Sequence, residues 1–195
     1  MRNIVAVTTQ LRAESAWTSA EAADTLDAWA AAADLFEQAR DECTSDCSEL
    51  AYAAVVARGK EIQHDPSLEQ PEEKPTEPQS IPERVQTFIA DADSFVESSP
   101  DAEAAPSVAF LAAVRFDNYG WVDESIARYD SLIQKNPAHE VSEFSANLLL
   151  DALDRAGRYD ELVRFANLLA GNVPLMTAYP DLAETVQNIL AHAPH

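Results

Sequence analysis

Apolar residues recur along the chain with the helical period of about 3.6 residues, and no segment alternates as a strand does. The pattern predicts a first helix over residues 3–16. Between Ala22 and Ala39, apolar residues return every third or fourth position, which predicts one long helix with a bend or break near Asp27. A third helix is predicted to begin at Ser48, a residue suited to an N-cap. The first part of the chain is therefore expected to be helical.

The chain beyond residue 80 shows the same period, now interrupted by prolines and glycines that begin or end helices. Proline suits the first turn of a helix because its missing N–H has no intrahelical partner there. Predicted helices start at Pro82 and Pro106, cover residues 121–133, 140–155 and 159–170, and finish with one from Pro180. The whole chain is therefore predicted to be all-α.

Residues 64–81 break the helical pattern with a stretch rich in proline and glutamate. Such a composition cannot bury a core, so an extended, flexible loop is predicted here. Pro75 and Pro78 have a P-x-x-P spacing, but their acidic flanks favour a spacer over a recognition motif. Three regions are therefore predicted: a helical region over residues 1–63, the loop over 64–81, and a helical region over 82–195 that ends in a capping helix.

A seven-residue phrase occurs twice, 37 residues apart, and each copy begins with one of the chain's four glycines. The first copy, Gly-Trp-Val-Asp-Glu-Ser-Ile, starts at Gly120, and the second, Gly-Arg-Tyr-Asp-Glu-Leu-Val, starts at Gly157. Glycine allows the left-handed backbone of a tight helix end, and the Asp-Glu pair favours the positive end of the next helix. Each copy is therefore predicted to be the inner turn of a helical hairpin. A period in the thirties is typical of stacked hairpins that bind proteins.

The residues around both phrases resemble the tetratricopeptide repeat (TPR), a hairpin of about 34 residues. Its characteristic slots are filled in the first copy by Ala113, Phe116, Gly120, Ser125, Tyr129, Leu132 and Pro137. In the second copy they are filled by Leu150, Leu153, Gly157, Leu162, Ala166, Leu169 and Pro174. The resemblance implies an α-solenoid of antiparallel TPR-like hairpins, with residues 1–63 as a degenerate part. Residues 144–153 are also similar to repeats of large envelope-associated TPR proteins of Gram-negative bacteria, which favours the periplasm or cell envelope over the cytoplasm.

The same resemblance implies where a partner binds, because TPR arrays hold peptides or helices in a groove lined by their first helices. The residues expected to line this groove are Ser107, Phe110, Val114, Asp117, Phe144, Asn147, Asp151 and Asp154. Since these side chains are acidic and partly apolar, the expected partner is a basic or amphipathic protein or peptide segment. The alternative is that Phe110 and Val114 only pack against neighbouring helices.

The formal net charge of −21 narrows the classes of partner. So acidic a chain is not expected to bind nucleic acid or anionic lipid through charge attraction. No apolar run approaches the length of a membrane span, so direct membrane insertion is not expected either. The simplest explanation of the charge is a solvated acidic surface that maintains solubility.

No sequence motif of an enzyme, cofactor or metal site is found. The four histidines are predicted to lie in a loop, a turn and the tail: His64, His139, His192 and His195. A phosphate loop, a nucleophile elbow and a zinc-protease motif are all missing from the sequence. The chain is therefore predicted not to be an enzyme and to use no cofactor or metal.

Cys43 and Cys47 are the two cysteines, and three residues separate them. This differs from the two-residue spacing of zinc and thioredoxin sites. Two interpretations stay open: a disulfide across a turn between helices, or two free thiols. A disulfide would indicate an oxidising compartment.

Together these features predict a non-catalytic scaffold or adaptor that holds a protein partner. One alternative is a fixed structural segment of a large bacterial envelope complex. Another is the TPR regulatory domain of a cytoplasmic protein that carries an output domain elsewhere.

Overall fold

The computed structural model describes residues 2–68 and 73–192. Within these ranges there are ten α-helices, one 3₁₀ turn at Pro66–Leu68 and no strand, which confirms the all-α prediction. The helices are α1 (Arg2–Ala23), α2 (Leu26–Glu42), α3 (Ser48–Gln63), α4 (Glu83–Ser98), α5 (Ala105–Asn118), α6 (Val122–Lys135), α7 (Glu140–Arg155), α8 (Tyr159–Ala170), α9 (Val173–Ala178) and α10 (Pro180–His192).

The helix predicted between Ala22 and Ala39 is divided, and the break lies at Asp24 rather than near Asp27. Asp24 has a φ of 48°, in the left-handed region that short polar side chains tolerate better than most. Its carboxylate accepts a hydrogen bond from the Trp29 indole N–H at 3.0 Å, which fixes the start of α2 on the turn.

The short helix α9 was not predicted from the sequence. Pro174, which fills the last repeat slot of the second copy, lies in the first turn of this helix. The Asn172 side chain caps α9 by accepting a hydrogen bond from the backbone N–H of Leu175 at 3.2 Å. Six residues are too few for a helical period to stand out, so only the cap was available as a signal.

The chain divides into two compact units, one comprising residues 2–68 and 81–108 and the other residues 73–80 and 109–192. Residues 73–80, the described end of the proline-rich stretch, belong to the second unit by their contacts. The predicted mobility of residues 64–81 stays a prediction.

The core of the first unit is rich in alanine, which lets helices approach closely. The alanines with no exposed surface in α1, α2 and α3 are Ala13, Ala20, Ala32, Ala33, Ala54 and Ala57. Trp17 fills the space beside them, with its ring edge-on to Trp29 at 5.2 Å and to Phe36 at 5.8 Å between centroids.

A charged cluster around Arg58 also holds the first unit together. The Arg58 guanidinium donates to Glu61 at 2.7 Å and also contacts Glu37. Asp91 lies in the same cluster and accepts from Arg40 at 3.3 Å. Burial raises the pKa of Asp91 to about 6, and the charge of Glu37 contributes further. Each carboxylate here contacts an arginine, so the cluster is best explained as a structural ion-pair network.

The core of the second unit is built from larger side chains on α6, α7, α8 and α10. Fully or almost fully buried members are Tyr129, Ile133, Leu149, Leu153, Phe165, Leu182 and Val186. Phe110 and Val114 of α5 are half-buried and pack against this core. Substitution of one such buried leucine by alanine typically lowers the free energy of unfolding by about 2–5 kcal/mol. The buried leucines therefore hold α7 firmly in the core of the unit.

Candidate protein-binding face

The two inner turns of the second unit have the same backbone geometry. Gly120 and Gly157 have φ values of 73° and 66°, the left-handed conformation that the sequence analysis expected of both. The Trp121 N–H donates to the Phe116 carbonyl at 3.0 Å, and the Arg158 N–H donates to the Leu153 carbonyl at 2.9 Å. Because the same bonds recur after 37 residues, the repeated phrase builds the same helix-ending motif twice.

The Gly120 turn is covered by residues 73–80, which we name the strap. The Gln79 N–H donates to the Tyr119 carbonyl at 2.8 Å, and the Trp121 indole N–H donates to the Gln79 carbonyl at 2.8 Å. A Cβ atom on Gly120 would lie only 2.3 Å from the Glu77 carbonyl oxygen. Glycine is therefore needed here both for its φ and for the close approach of the strap backbone.

The Gly157 turn is open. A Cβ atom placed on Gly157 would meet no other atom within 4 Å. Here glycine is needed only for its positive φ.

A buried carboxylate anchors the strap to α5. Asp117 has no exposed surface, and it accepts from the Lys74 ammonium at 2.5 Å and from the Arg155 guanidinium at 2.7 Å. The prediction that Asp117 lines an open groove is therefore wrong, because a strap lysine and an α7 arginine enclose its side chain. Lys74 and Arg155 were missed from the sequence, although Lys74 is the one cation in the acidic run 65–80.

A tyrosine hydroxyl lies in the same environment. Burial raises the pKa of Tyr129, and the negative charge of Asp117 raises it further. Tyr129 therefore stays neutral at physiological pH and packs as a core aromatic with its ring 6.1 Å from that of Phe110.

The α7 members of the predicted groove lie on one exposed face. Phe144, Asn147, Asp151 and Asp154 follow the spacing of one helix side, and all four are exposed, Phe144 to 52%. The Phe144 ring lies 6.2 Å from the half-buried ring of Phe110. We call Phe144, Asn147, Asp151 and Asp154, together with Phe110 of the neighbouring α5, the α7 face.

Two further predicted groove residues, Ser107 and Val114, lie on α5 and are half-buried. Val114 is half-buried against the core, as the packing alternative in the sequence analysis anticipated. Ser107 is half-buried in the first turn of α5, in the part of that helix that belongs to the first unit.

An open cavity of about 540 Å³ lies between the strap and the two turns. It is lined by Thr76 and Pro78 of the strap, by residues 120–124, and by Ala156 and Arg158 of the second turn. The cavity therefore leads from the covered turn to the open one.

Comparisons with protein-family models, with curated proteins and with solved structures found no match.

Cys43 and Cys47 are joined by a disulfide that closes the turn between α2 and α3. The sequence left open a disulfide or two free thiols, and the structure contains the disulfide.

Among residues 2–68 and 73–192, no group of three or more histidine, cysteine, aspartate or glutamate side chains is arranged to hold a metal ion. Among the same residues, no helix combines the length and the apolar character that crossing a membrane requires.

Proposed function

We propose that the second unit consists of TPR-like hairpins and holds a protein partner on the α7 face, as a non-catalytic scaffold. The observation that carries this proposal is the exposure of Phe144 in line with Asn147, Asp151 and Asp154. The recurrence of the inner turn at Gly120 and Gly157 supports the repeat architecture.

The chemistry of the α7 face favours one class of partner. Phe144 and Phe110 offer an aromatic surface for an apolar side chain, and aromatic side chains are enriched among binding hot spots. Asp151 and Asp154 lie one and two turns beyond Asn147 on the same side and offer negative charge. A cationic amphipathic segment fits both features, and the chain's net charge of −21 would accelerate its approach.

A labelled model peptide tests this proposal. The probe is an amphipathic helix of leucine and lysine, and its counterpart replaces every lysine with glutamate. Fluorescence anisotropy should show binding of the lysine peptide only. Phe144→Ala and the double variant D151N/D154N should each weaken binding by about tenfold or more, equivalent to about 1.4 kcal/mol.

Matched variants separate the α7 face from general effects. Tyr159→Ala removes another exposed aromatic ring, 57% exposed, outside the face. The double variant D101N/D181N changes the net charge by the same amount at exposed positions elsewhere. Equal weakening by the face variants and by these controls would contradict the proposal.

One alternative keeps a specific observation in its favour. A fixed structural segment of a bacterial envelope complex would reside in an oxidising compartment, where the Cys43–Cys47 disulfide is expected to persist. Alkylation of the native protein before reduction discriminates: labelling of both cysteines would remove this support.

A further inference from the structure

The strap demonstrates how an extended segment docks on an inner turn of this chain. Three contacts hold it: the Lys74 ammonium on Asp117, the Gln79 N–H on the Tyr119 carbonyl, and the Gln79 carbonyl on the Trp121 indole. The two contacts of Gln79 use the strap backbone, so they do not depend on its side chains. The contact of Lys74 with Asp117 requires a basic residue in the docked segment.

The Gly157 turn repeats the elements that receive the strap. Asp154 stands at the place of Asp117, and Ala156 supplies a backbone carbonyl at the place of Tyr119. Arg158 replaces Trp121 and likewise carries a side-chain N–H donor. Two helix-ending hydrogen bonds recur within about 0.2 Å, those donated by the N–H of the glycine and by the N–H of the residue after it. The N–H before the glycine differs, since Tyr119 donates to the Phe116 carbonyl and Ala156 donates to the Ala152 carbonyl.

The second turn has the room that an extended segment needs. Asp154 and Gly157 are exposed, and no atom lies within 4 Å of a Cβ placed on Gly157. On the first turn the strap carbonyls of Glu77 and Pro75 occupy the corresponding space. The 540 Å³ cavity is lined by Ala156 and Arg158 as well as by the strap, so there is open space beside the second turn.

We propose that the Gly157 turn binds an extended segment of a partner protein that carries a lysine, in the manner in which the Gly120 turn binds the strap. The lysine ammonium pairs with Asp154, a backbone N–H of the segment donates to the Ala156 carbonyl, and a backbone carbonyl accepts from Arg158. This inference rests on the proposed function and names the conformation and the charge of the partner.

Charge complementarity favours a lysine-bearing partner over an apolar one. Asp151 and Asp154 both lie exposed at this end of α7. Arg155 donates to the buried Asp117 at 2.7 Å, and its Nε lies 3.8 Å from Asp151, so Asp154 is the carboxylate that offers its charge to a partner. Arg158 is held by Asp123 at 2.5 Å and Glu161 at 2.6 Å, so its guanidinium is already positioned at the edge of the turn. A strap from a second copy of the chain has the same chemistry and is distinguished by the test.

The test uses the full chain and a synthetic peptide. The probe is a capped peptide with the sequence of residues 73–80, with Glu73 and Glu77 replaced by glutamine so that repulsion from the acidic protein is reduced. Titration into the ¹⁵N-labelled protein is expected to shift the amide signals of residues 154–158 in a saturable manner. Asp154→Asn in the protein, or lysine to alanine in the peptide, should weaken this binding at least about fivefold, equivalent to about 1 kcal/mol.

Several results would overturn the inference. One is the absence of shifts at residues 154–158 at millimolar peptide, and another is a set of shifts confined to residues 117–121. A third is a concentration-dependent dimer of the wild-type chain that Lys74→Ala abolishes, which would assign the turn to a second copy. If the peptide fails while the leucine-lysine helix still binds and Phe144→Ala weakens it, the proposed function survives and only this inference falls.

Discussion

The turns at Gly120 and Gly157 share a backbone conformation and a hydrogen-bond pattern, but one is covered by the strap and the other is open. The difference arises outside the repeated phrase, in a segment more than 35 residues earlier in the chain. The equivalent carboxylates follow the same division, since Asp117 is buried and Asp154 is exposed. A repeated local motif therefore fixes the shape of a surface, whereas a distant segment decides whether that surface is occupied.

Substitution of the two glycines should break the symmetry most strongly. Gly157→Ala suffers only from its positive φ and should lower the free energy of unfolding by about 1–2 kcal/mol. Gly120→Ala has the same strain and a backbone clash with the strap, and should lower it by roughly 2–5 kcal/mol in total. Urea denaturation measures both, and equal losses for the two variants would contradict the covered-turn description.

Neutralisation of Asp117 and of its equivalent Asp154 should give the next largest difference in the free energy of unfolding. Asp117→Asn leaves Lys74 and Arg155 without their shared carboxylate. Because both cations are partly exposed and can be solvated, we expect the free energy of unfolding to fall by roughly 2–4 kcal/mol. Asp154→Asn changes an exposed side chain and should stay within about 0.5 kcal/mol of the wild type. A comparable loss for D154N would show that the two carboxylates are not in different environments.

Removal of the indole hydrogen bond should have a smaller effect. Trp121→Phe keeps an aromatic ring beside Phe116 but loses the bond to the Gln79 carbonyl, so a loss of about 1 kcal/mol is expected. Amide hydrogen exchange in the strap should accelerate with it. Tyr159→Phe, which removes an exposed hydroxyl beside the open turn, is the control and should change neither quantity.

The open turn also carries a carboxyl that reports on Arg158. Hydrogen bonds from Arg158 lower the pKa of Glu161 below its usual 4.5. The stabilisation from this pair is present above the unfolded-state pKa and is lost as the pH falls through the lower folded-state value. An NMR titration should show that Arg158→Gln raises the pKa of Glu161 toward its usual value. An unchanged pKa in this variant would show that Arg158 does not engage Glu161.

The sequence predicted those features that short-range physics determines. The glycine turns followed from the need for a positive φ, and the helices followed from the apolar period. A break was predicted near Asp27, and its true position at Asp24 was missed because a residue other than glycine adopts the left-handed conformation there. The short helix α9 escaped because its apolar pattern covers less than two full turns.

The environment of the candidate site was less predictable. The four α7 residues were expected to line a groove because of the TPR resemblance, but the burial of Asp117 depends on Lys74, 43 residues away. Local composition indicates that residues 64–81 cannot form a core, and it contains no information about which turn the segment contacts. Long-range pairing of this kind requires the three-dimensional structure.

The central claim is that the strap belongs to the Gly120 turn through Lys74 and Asp117, while the equivalent Asp154 is left open. Two double-mutant cycles in urea test it directly: Lys74→Met with Asp117→Asn, and Lys74→Met with Asp154→Asn. A coupling energy of about 1–2 kcal/mol is expected for the first pair, and additivity within about 0.3–0.5 kcal/mol for the second. Additive behaviour of the Lys74 and Asp117 variants, or equal coupling in both cycles, would contradict the claim.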